Sequence, residues 1–321
     1  MPLSKDYGLL LSNDELLAGL LENEPKKIQL AEVLPFLPID GDSLRVERSS
    51  SSDFGTEPLF DTVPVTVTEG VASPSTSLAA TFQIKGLVQD VIVNDWVNYA
   101  ISNVNSQVAV QLDAGVRRLL YRFWKAFSEG DSTIYPNQEF SGIKALTPSG
   151  QKIQTNDTTN YFLDLIDIAR LVGKVTANAG RPHVLFTGPL GYRNIMKAYF
   201  DKGIAPEYVT VDVPDSSGRA VSRKMLSFEG IPVYQDDFVL TTETVGGFSN
   251  GTSIYAMVLG RQGVYGIIPK SAGSKMIFTK EVLVAGSAKT TLRLYWPVGL
   301  VLESDSAIAR LQLRPMTGTA Q

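Results

Sequence analysis

The chain predicts an α+β fold, and three observations carry that expectation. One apolar stripe at helical spacing runs through Ile101, Val104, Val108, Leu112, Val116, Leu119, Phe123 and Phe127. Segments of polar–apolar alternation precede it, which is the period of strands with one wet face. After it, strands and shorter helices follow one another with no internal repeat.

Each element has a local cause. Ser12 followed by Glu15 is a capping box, and Leu16, Leu17, Leu20 and Leu21 give one apolar face to a short helix that Pro25 ends. A helix of about eight residues is too short to be stable alone in water. Its leucine face is therefore expected to dock on the body or on a neighbouring subunit. Ser43-Leu44-Arg45-Val46-Glu47-Arg48 alternates, as does Val63-Pro64-Val65-Thr66-Val67-Thr68, and Ala80-Thr81-Phe82-Gln83-Ile84 follows. Ser49 to Ser52, Gly55, Pro58, Gly70 and Pro74 interrupt any packing between these runs. The stretch reads as a long two-stranded excursion, and a lone hairpin is marginal in water.

The apolar stripe then predicts a helix about 40 Å long at 1.5 Å per residue. Asp90 and Asp95 near its start, with Arg117, Arg118, Arg122 and Lys125 towards its end, would complement the helix dipole, and Gly130 would stop it. Residues 150–270 read as a compact α/β unit. A helix over 160–177 carries Phe162, Leu165, Ile166, Ala169 and Val172 on one face and ends at Gly180 and Pro182. A strand over 183–187 leads to a helix over 189–202, with Pro189 as its first residue and Gly203 beyond its end. Two strands then flank Glu229-Gly230, and strands over 253–259 and 263–268 flank Gly260 to Gln262. Long strands over Lys275–Val284 and Thr290–Glu303 precede the closing segment Ser306-Ala307-Ile308-Ala309-Arg310-Leu311-Gln312.

Composition narrows the function classes. The 321 residues are 44% hydrophobic and 19% charged, as in a globular protein rather than a disordered one. A net charge of −4 argues against a primary duty of gripping nucleic acid. The absence of cysteine excludes disulfides, thiolate metal sites and cysteine nucleophiles, and suits synthesis in a reducing cytoplasm. No N-terminal signal pattern and no apolar run of roughly 18 residues is present, so no membrane association is expected.

Catalytic strings are present but incomplete. Gly41-Asp42-Ser43-Leu44 matches the nucleophile motif of a large hydrolase family, yet the chain's single histidine is His183, and Gly180 stands where that family's aspartate would be. Gly247-Phe248-Ser249-Asn250-Gly251 matches a nucleophile elbow, but a strand rather than a helix follows it, and His183 lies upstream. Asp236 and Asp237 are adjacent, so on a strand they point to opposite faces; a solvated turn is the expectation. Val184 to Lys197 runs strand, Gly-Pro, helix like a phosphate cradle, without the Gly-Lys-Ser/Thr ending. His183 beside Val184, Leu185 and Phe186 reads as a packed or hydrogen-bonded structural residue, and a zinc site lacks a second histidine. No catalytic, cofactor-binding or metal-ligating residue is assigned, and the chain is not expected to be an enzyme.

The order of these elements resembles the major capsid proteins of tailed bacteriophages, whose fold is shared with encapsulins. Phe140-Ser141-Gly142-Ile143-Lys144-Ala145-Leu146, Val184 to Tyr199, Phe228 to Val239 and Leu259 to Ile268 are the local stretches that agree. The resemblance spans nearly the whole chain and implies an N-terminal arm over 1–37 and an extended loop over 38–90. It further implies a peripheral domain over 91–149 and 271–321, with a spine helix and long strands, and an axial domain over 150–270. It implies a structural subunit that assembles as hexamers and pentamers into an icosahedral virion capsid, made in the host cytoplasm. That shell would enclose double-stranded DNA without sequence-specific binding. Scaffolding, portal and cement proteins are the implied partners; a scaffold would be a separate protein or absent, because the arm begins close to Met1. The implied subunit contacts are Leu16 and Leu20 on the arm, Arg45, Arg48, Phe54 and Phe60 on the loop, and Gly246, Gly247 and Phe248. The last three lie in a Gly-rich loop over 241–253, expected near a symmetry axis. Ser43 then begins the ascending strand of the extended loop. The alternatives are an encapsulin-type cage holding a cargo enzyme and, more remotely, a serine hydrolase.

Overall fold

The structure is a computed structural model that describes residues 33–48, 78–94, 107–135, 139–155, 163–214, 220–245, 248–270, 277–283 and 289–313. Two large sheets and one ribbon organise the chain.

The ribbon pairs β2 (Ser43–Arg48) antiparallel with β3 (Leu78–Gln83), from Ser43 opposite Gln83 to Arg48 opposite Leu78. This is the two-stranded excursion that the alternation predicts. Val46 and Phe82 are buried while Ser43 and Arg45 are exposed, as a period of two requires. The predicted strand over 63–68 lies outside the described residues.

The first sheet is built on β14 (Lys289–Leu302), which β4 (Lys85–Asn94) flanks along Lys289 to Val298 and β12 (Val264–Pro269) flanks along Gly299 to Leu302. β13 (Phe278–Leu283) pairs with β14, and β1 (Phe36–Ile39) lies parallel to β12. Asp90 therefore sits in the middle of β4, paired across the ladder with Arg293, and not at a helix start as the sequence suggested. The helix described, α1, runs Gln107–Glu129; its first turn holds no acidic residue and its last turn no basic one. The cations thus stand in mid-helix and not in its last turn, while Asp95 lies outside the described residues.

The stripe itself is as read: Leu112, Val116, Leu119, Phe123 and Phe127 are all buried. Ile101 and Val104 lie outside the described residues. Phe123 is the hub, with ring centroids 4.6 Å from Trp296, 5.1 Å from Trp124, 5.8 Å from Phe140 and 5.9 Å from Phe36. Phe127 reaches the second sheet, its ring edge-on to Phe186 at 5.8 Å. A single core thereby joins both sheets through α1.

Gly130 follows α1, but its backbone does not need positive φ. The constraint is crowding. A Cβ on Gly130 would lie 2.5 Å from the Phe140 carbonyl oxygen, and one on Gly142 would lie 2.5 Å from that of Phe127. The Gly142 N–H donates to the Gly130 carbonyl at 2.8 Å, so two glycines let the chain cross itself at the helix end. From there α2 (Ile143–Leu146) and a 3₁₀ turn (Ser149–Gln151) lead to β5 (Lys152–Gln154).

The second sheet comprises β6 (Val184–Thr187), β7 (Glu207–Pro214), β8 (Ala220–Phe228), β9 (Ile231–Gln235), β10 (Glu243–Val245), β11 (Phe248–Met257) and β15 (Ile308–Leu313), with β5. Its order is β5-β15-β11-β6-β9-β8-β7, with β10 on β11. The predicted turn between β8 and β9 is a two-residue one: Glu229 and Gly230 both have positive φ, 51° and 75°, the geometry that matches strand twist. α3 (Leu165–Ala179) and α4 (Pro189–Asp201) pack on this sheet. A capping box between Asp164 and Asp167 starts α3 later than expected and turns its face. Ile168, Leu171, Val172 and Val175 are buried, whereas Ile166 and Ala169 are exposed. Gly180 ends the helix at φ 82°.

The turn at Gly260 to Gln262 is not that of a hairpin. β11 belongs to the second sheet and β12 to the first, so these residues pass the chain between sheets. Positive φ at Gly260 (98°) and Gln262 (73°) reverses its direction. The strand Ile308–Leu313 returns to the second sheet, beside β11 and β5.

Candidate assembly surfaces

The buried polar groups come first, because they decide whether the interior holds chemistry. Glu243, Ser253 and Arg310 form one closed cluster between β10, β11 and β15. The Arg310 guanidinium donates to Glu243 at 2.7 Å and to the Ser253 hydroxyl at 2.9 Å, and that hydroxyl donates to Glu243 at 2.5 Å. Side-chain exposure is 5% for Arg310 and 3% for Glu243. The Arg310 guanidinium also lies 5.8 Å from the Tyr255 ring centroid. Every strong donor and acceptor in the cluster is turned inward, so its role is to pin β15 to β10 and β11.

Asp236 is fully buried, which corrects the expected solvated turn; only Asp237 is exposed. One of its oxygens accepts the Phe238 N–H at 2.8 Å, while its other oxygen has no partner among the described residues. Burial pushes its carboxyl up to about 7. Folding therefore draws a proton onto this group between its unfolded value of 3.8 and about 7, and stability is lost as pH rises through that window. We expect Asp236→Asn, which keeps the accepting oxygen, to gain about 2–3 kcal/mol on the parent between pH 5 and pH 7, read from urea melts of both proteins. A stability difference that stays constant with pH would exclude this linkage.

The catalytic strings find no partners in the described fold. Ser43 begins β2 with its hydroxyl 3.2 Å from the neighbouring Asp42 carboxylate. Ser249 lies within β11, with no helix after it. His183 accepts the Leu259 N–H on Nδ1 at 3.2 Å and ties β6 to the inter-sheet turn. Among the described residues no cluster of three or more His, Cys, Asp or Glu could hold a metal ion.

The expected contact residues lie as follows. Arg45 is exposed on β2, and Arg48 is its last residue, opposite Leu78. Leu16, Leu20, Phe54, Phe60, Gly246 and Gly247 lie outside the described residues. Phe248 opens β11, opposite Val245 of β10. The stretch 241–253, expected as a long loop, is largely a β10–β11 hairpin, with Glu243, Thr252 and Ser253 buried.

The feature missed in the sequence is the β7–β8 ribbon, although Tyr208 to Val213 alternates and could have been found by its period of two. β7 and β8 pair from Glu207–Ser227 to Pro214–Ala220, while β9 joins β8 only at Ser227 and Phe228. Among the described residues most of the ribbon thus has no third strand, and β7 is the edge of the sheet. At its root, Ile166, Phe200, Ile204 and Tyr208 are exposed at 60%, 63%, 51% and 56%. The Lys202–Asp164 ion pair at 3.0 Å brings the end of α4, near Phe200 and Ile204, to the start of α3, near Ile166. Exposed apolar groups gathered in this way mark an interaction surface.

This architecture is that of the shell-forming proteins: the chain has the fold of phage capsid proteins and encapsulins. It is similar to the SrpI encapsulin of Synechococcus elongatus PCC 7942, with a TM-score of 0.68 and 16% identity over 91% of this chain and 89% of that one. It is similar to the capsid of the native GTA particle, with a TM-score of 0.56 and 13% identity over 89% and 90%. The Mycobacterium phage Bobi structure aligns at 0.53 with 15% identity over 90% and 91%. No family model matches the sequence, and no curated protein matches it.

Proposed function

We propose that the chain is a structural subunit of a closed protein shell, assembled from hexamers and pentamers into a phage capsid around double-stranded DNA. The observation that supports this best is end-to-end overlap: about nine-tenths of this chain superposes on nine-tenths of shell proteins at 13–16% identity. The residues that a single subunit leaves uncovered fit the same reading. The β2–β3 ribbon, the β7–β8 ribbon and the apolar group at Ile166, Phe200, Ile204 and Tyr208 all need neighbours. On this reading the eight-stranded sheet forms the axial part around the symmetry axes, and the sheet on α1 forms the peripheral part. The arm's Leu16 and Leu20, and Arg45, Arg48, Phe54 and Phe60 of the extended loop, meet adjacent copies.

An encapsulin-type cage around a cargo enzyme is the second reading, favoured by the TM-score of 0.68 against 0.53–0.57 for the GTA and mycobacteriophage structures. Negative-stain microscopy of the expressed chain tests the shell. Uniform closed particles are expected, and a monodisperse monomer at micromolar concentration would reject the proposal. Nuclease-protected DNA inside the particles points to the capsid, and a stoichiometric protein cargo to the cage.

The shell is held without covalent links. One member of the resembling family joins subunits through a loop lysine and an asparagine, but Lys26 and Lys27 precede the loop, Lys85 lies at its base, no lysine lies between Gln29 and Ile84, and the chain has no cysteine. Arg45 and Arg48 remain protonated and make poor nucleophiles. Boiling particles in detergent without reductant is expected to give one band near 34.9 kDa. A ladder of covalent oligomers would contradict it.

A further inference from the structure

The long helix carries a charge pattern that the shell reading does not use. Over residues 111–129 of α1 the exposed side chains are Gln111, Arg118, Arg122 and Lys125. Three of these four are cations and none is acidic, in a chain whose net charge is −4. Arg118, Arg122 and Lys125 stand at i, i+4 and i+7, so they form one straight ridge. Asp113 is the nearest acid on the N-terminal side, and it is engaged by Arg117 at 3.1 Å. Arg122 spends one donor on the Val88 carbonyl at 3.0 Å, on the edge of β4 away from β14 among the described residues.

The opposite side of the same layer differs. α1 packs on the sheet of β4 and β14, where Gly115 lies against Val91 and Leu294. The far face of that sheet carries Val88, Asp90 and Ile92, with Tyr295, Arg293 and Thr291 opposite them. Its charges are closed by a two-point contact, in which Arg293 donates to both oxygens of Asp90 at 2.5 and 2.7 Å, with Lys280 beside them on β13. That contact holds the Asp90 carboxyl below its usual range. One face of the layer is nearly neutral, and the other carries three cations in line, with the half-buried Glu129 carboxylate beyond Lys125 at the end of the helix.

We propose that the Arg118–Arg122–Lys125 ridge contacts the phosphate backbone of double-stranded nucleic acid inside the shell, which rests on the shell reading above. Seven residues of helix span about 10 Å, and each strand of a duplex carries a charge about every 3.4 Å. The ridge therefore matches roughly three phosphates in length and number. Contacts to phosphate carry no base information, so this contact is independent of sequence. A single ridge binds weakly; many copies on an inner wall act together.

The test measures binding of the full-length chain, dissociated from any particles, to a labelled mixed-sequence 20-base-pair duplex by fluorescence anisotropy across 20–200 mM salt. Arg118→Gln with Arg122→Gln and Lys125→Gln is expected to weaken binding at least tenfold at 50 mM salt. It should also flatten the plot of log affinity against log salt by about 3, near 0.9 per phosphate lost. Arg118→Glu with Lys125→Glu leaves the Arg122–Val88 contact in place and is expected to abolish binding while the thermal melt stays parental. Absence of parental binding at 50 mM salt, or a parental salt slope in the variants, overturns the proposal. Unchanged DNA binding with lost particles also overturns it, and would make the ridge a subunit contact. Ridge-dependent binding by a chain that forms no particles would support the ridge and reject the shell reading.

Discussion

Gly142→Ala is expected to cost at least about 3 kcal/mol and to lower Tm by at least about 4–5 °C for a chain of this size. The added methyl would lie 2.5 Å from the Phe127 carbonyl oxygen and 2.9 Å from the Gly130 nitrogen, and closer still to the Ala126 carbonyl oxygen. All three are backbone atoms, two of them in the last turn of α1, so no side-chain rotation relieves the clash. The helix end must move. Because Phe123 and Phe127 hold both sheets through that end, the loss spreads to the whole core. Gly150→Ala is the control, since nothing lies within 4 Å of the position where its methyl would stand. Circular dichroism melts of the unassembled chain compare the two. Equal melting of both variants would show that the crossing of 130 and 142 tolerates a side chain.

Arg310→Met is expected to cost about 3–5 kcal/mol, because it leaves the Glu243 carboxylate buried with only the Ser253 hydroxyl to meet it. Replacing the whole cluster should be far milder. Glu243→Leu with Ser253→Ala and Arg310→Met removes the charges and the hydroxyl together, and apolar groups of similar volume need no partner. Urea melts of the single and triple variants, analysed as a cycle, measure the coupling. A single variant within about 1 kcal/mol of the parent would mean that water reaches Glu243 on its own and that the cluster does not pin β15.

The elements legible from residues alone were those whose neighbours in sequence define them. The stripe from Leu112 to Phe127 needs only a period of 3.6, β2 only a period of two, and the β8–β9 turn only a pair that accepts positive φ. The order of such elements was enough to point to the shell-protein fold. The candidate contact residues were less legible. Arg45 was read on a strand and lies on one, whereas Phe248, expected in a loop, opens β11; the ribbon of β7 and β8 was passed over although its alternation was in plain view.

Pairing and burial required the folded chain. β4 carries apolar residues on both faces, Val88 and Ile92 outward and Leu87 and Val91 inward, so its period was masked and Asp90 was taken for a helix start. β11 and β12 look like a hairpin because they are adjacent, yet each finds a better partner in a different sheet. Asp236 and Asp237 are equivalent in sequence; the folded chain buries one, whose N–H donates to the Thr187 carbonyl of β6, and leaves the other wet. Glu243 and Arg310 stand 67 positions apart and meet only because β15 returns beside β11. Local periodicity follows from which face an element buries, and that is written in each segment. Contacts between distant segments are chosen by the energy of the assembled core, to which every segment contributes, so no single stretch could announce them.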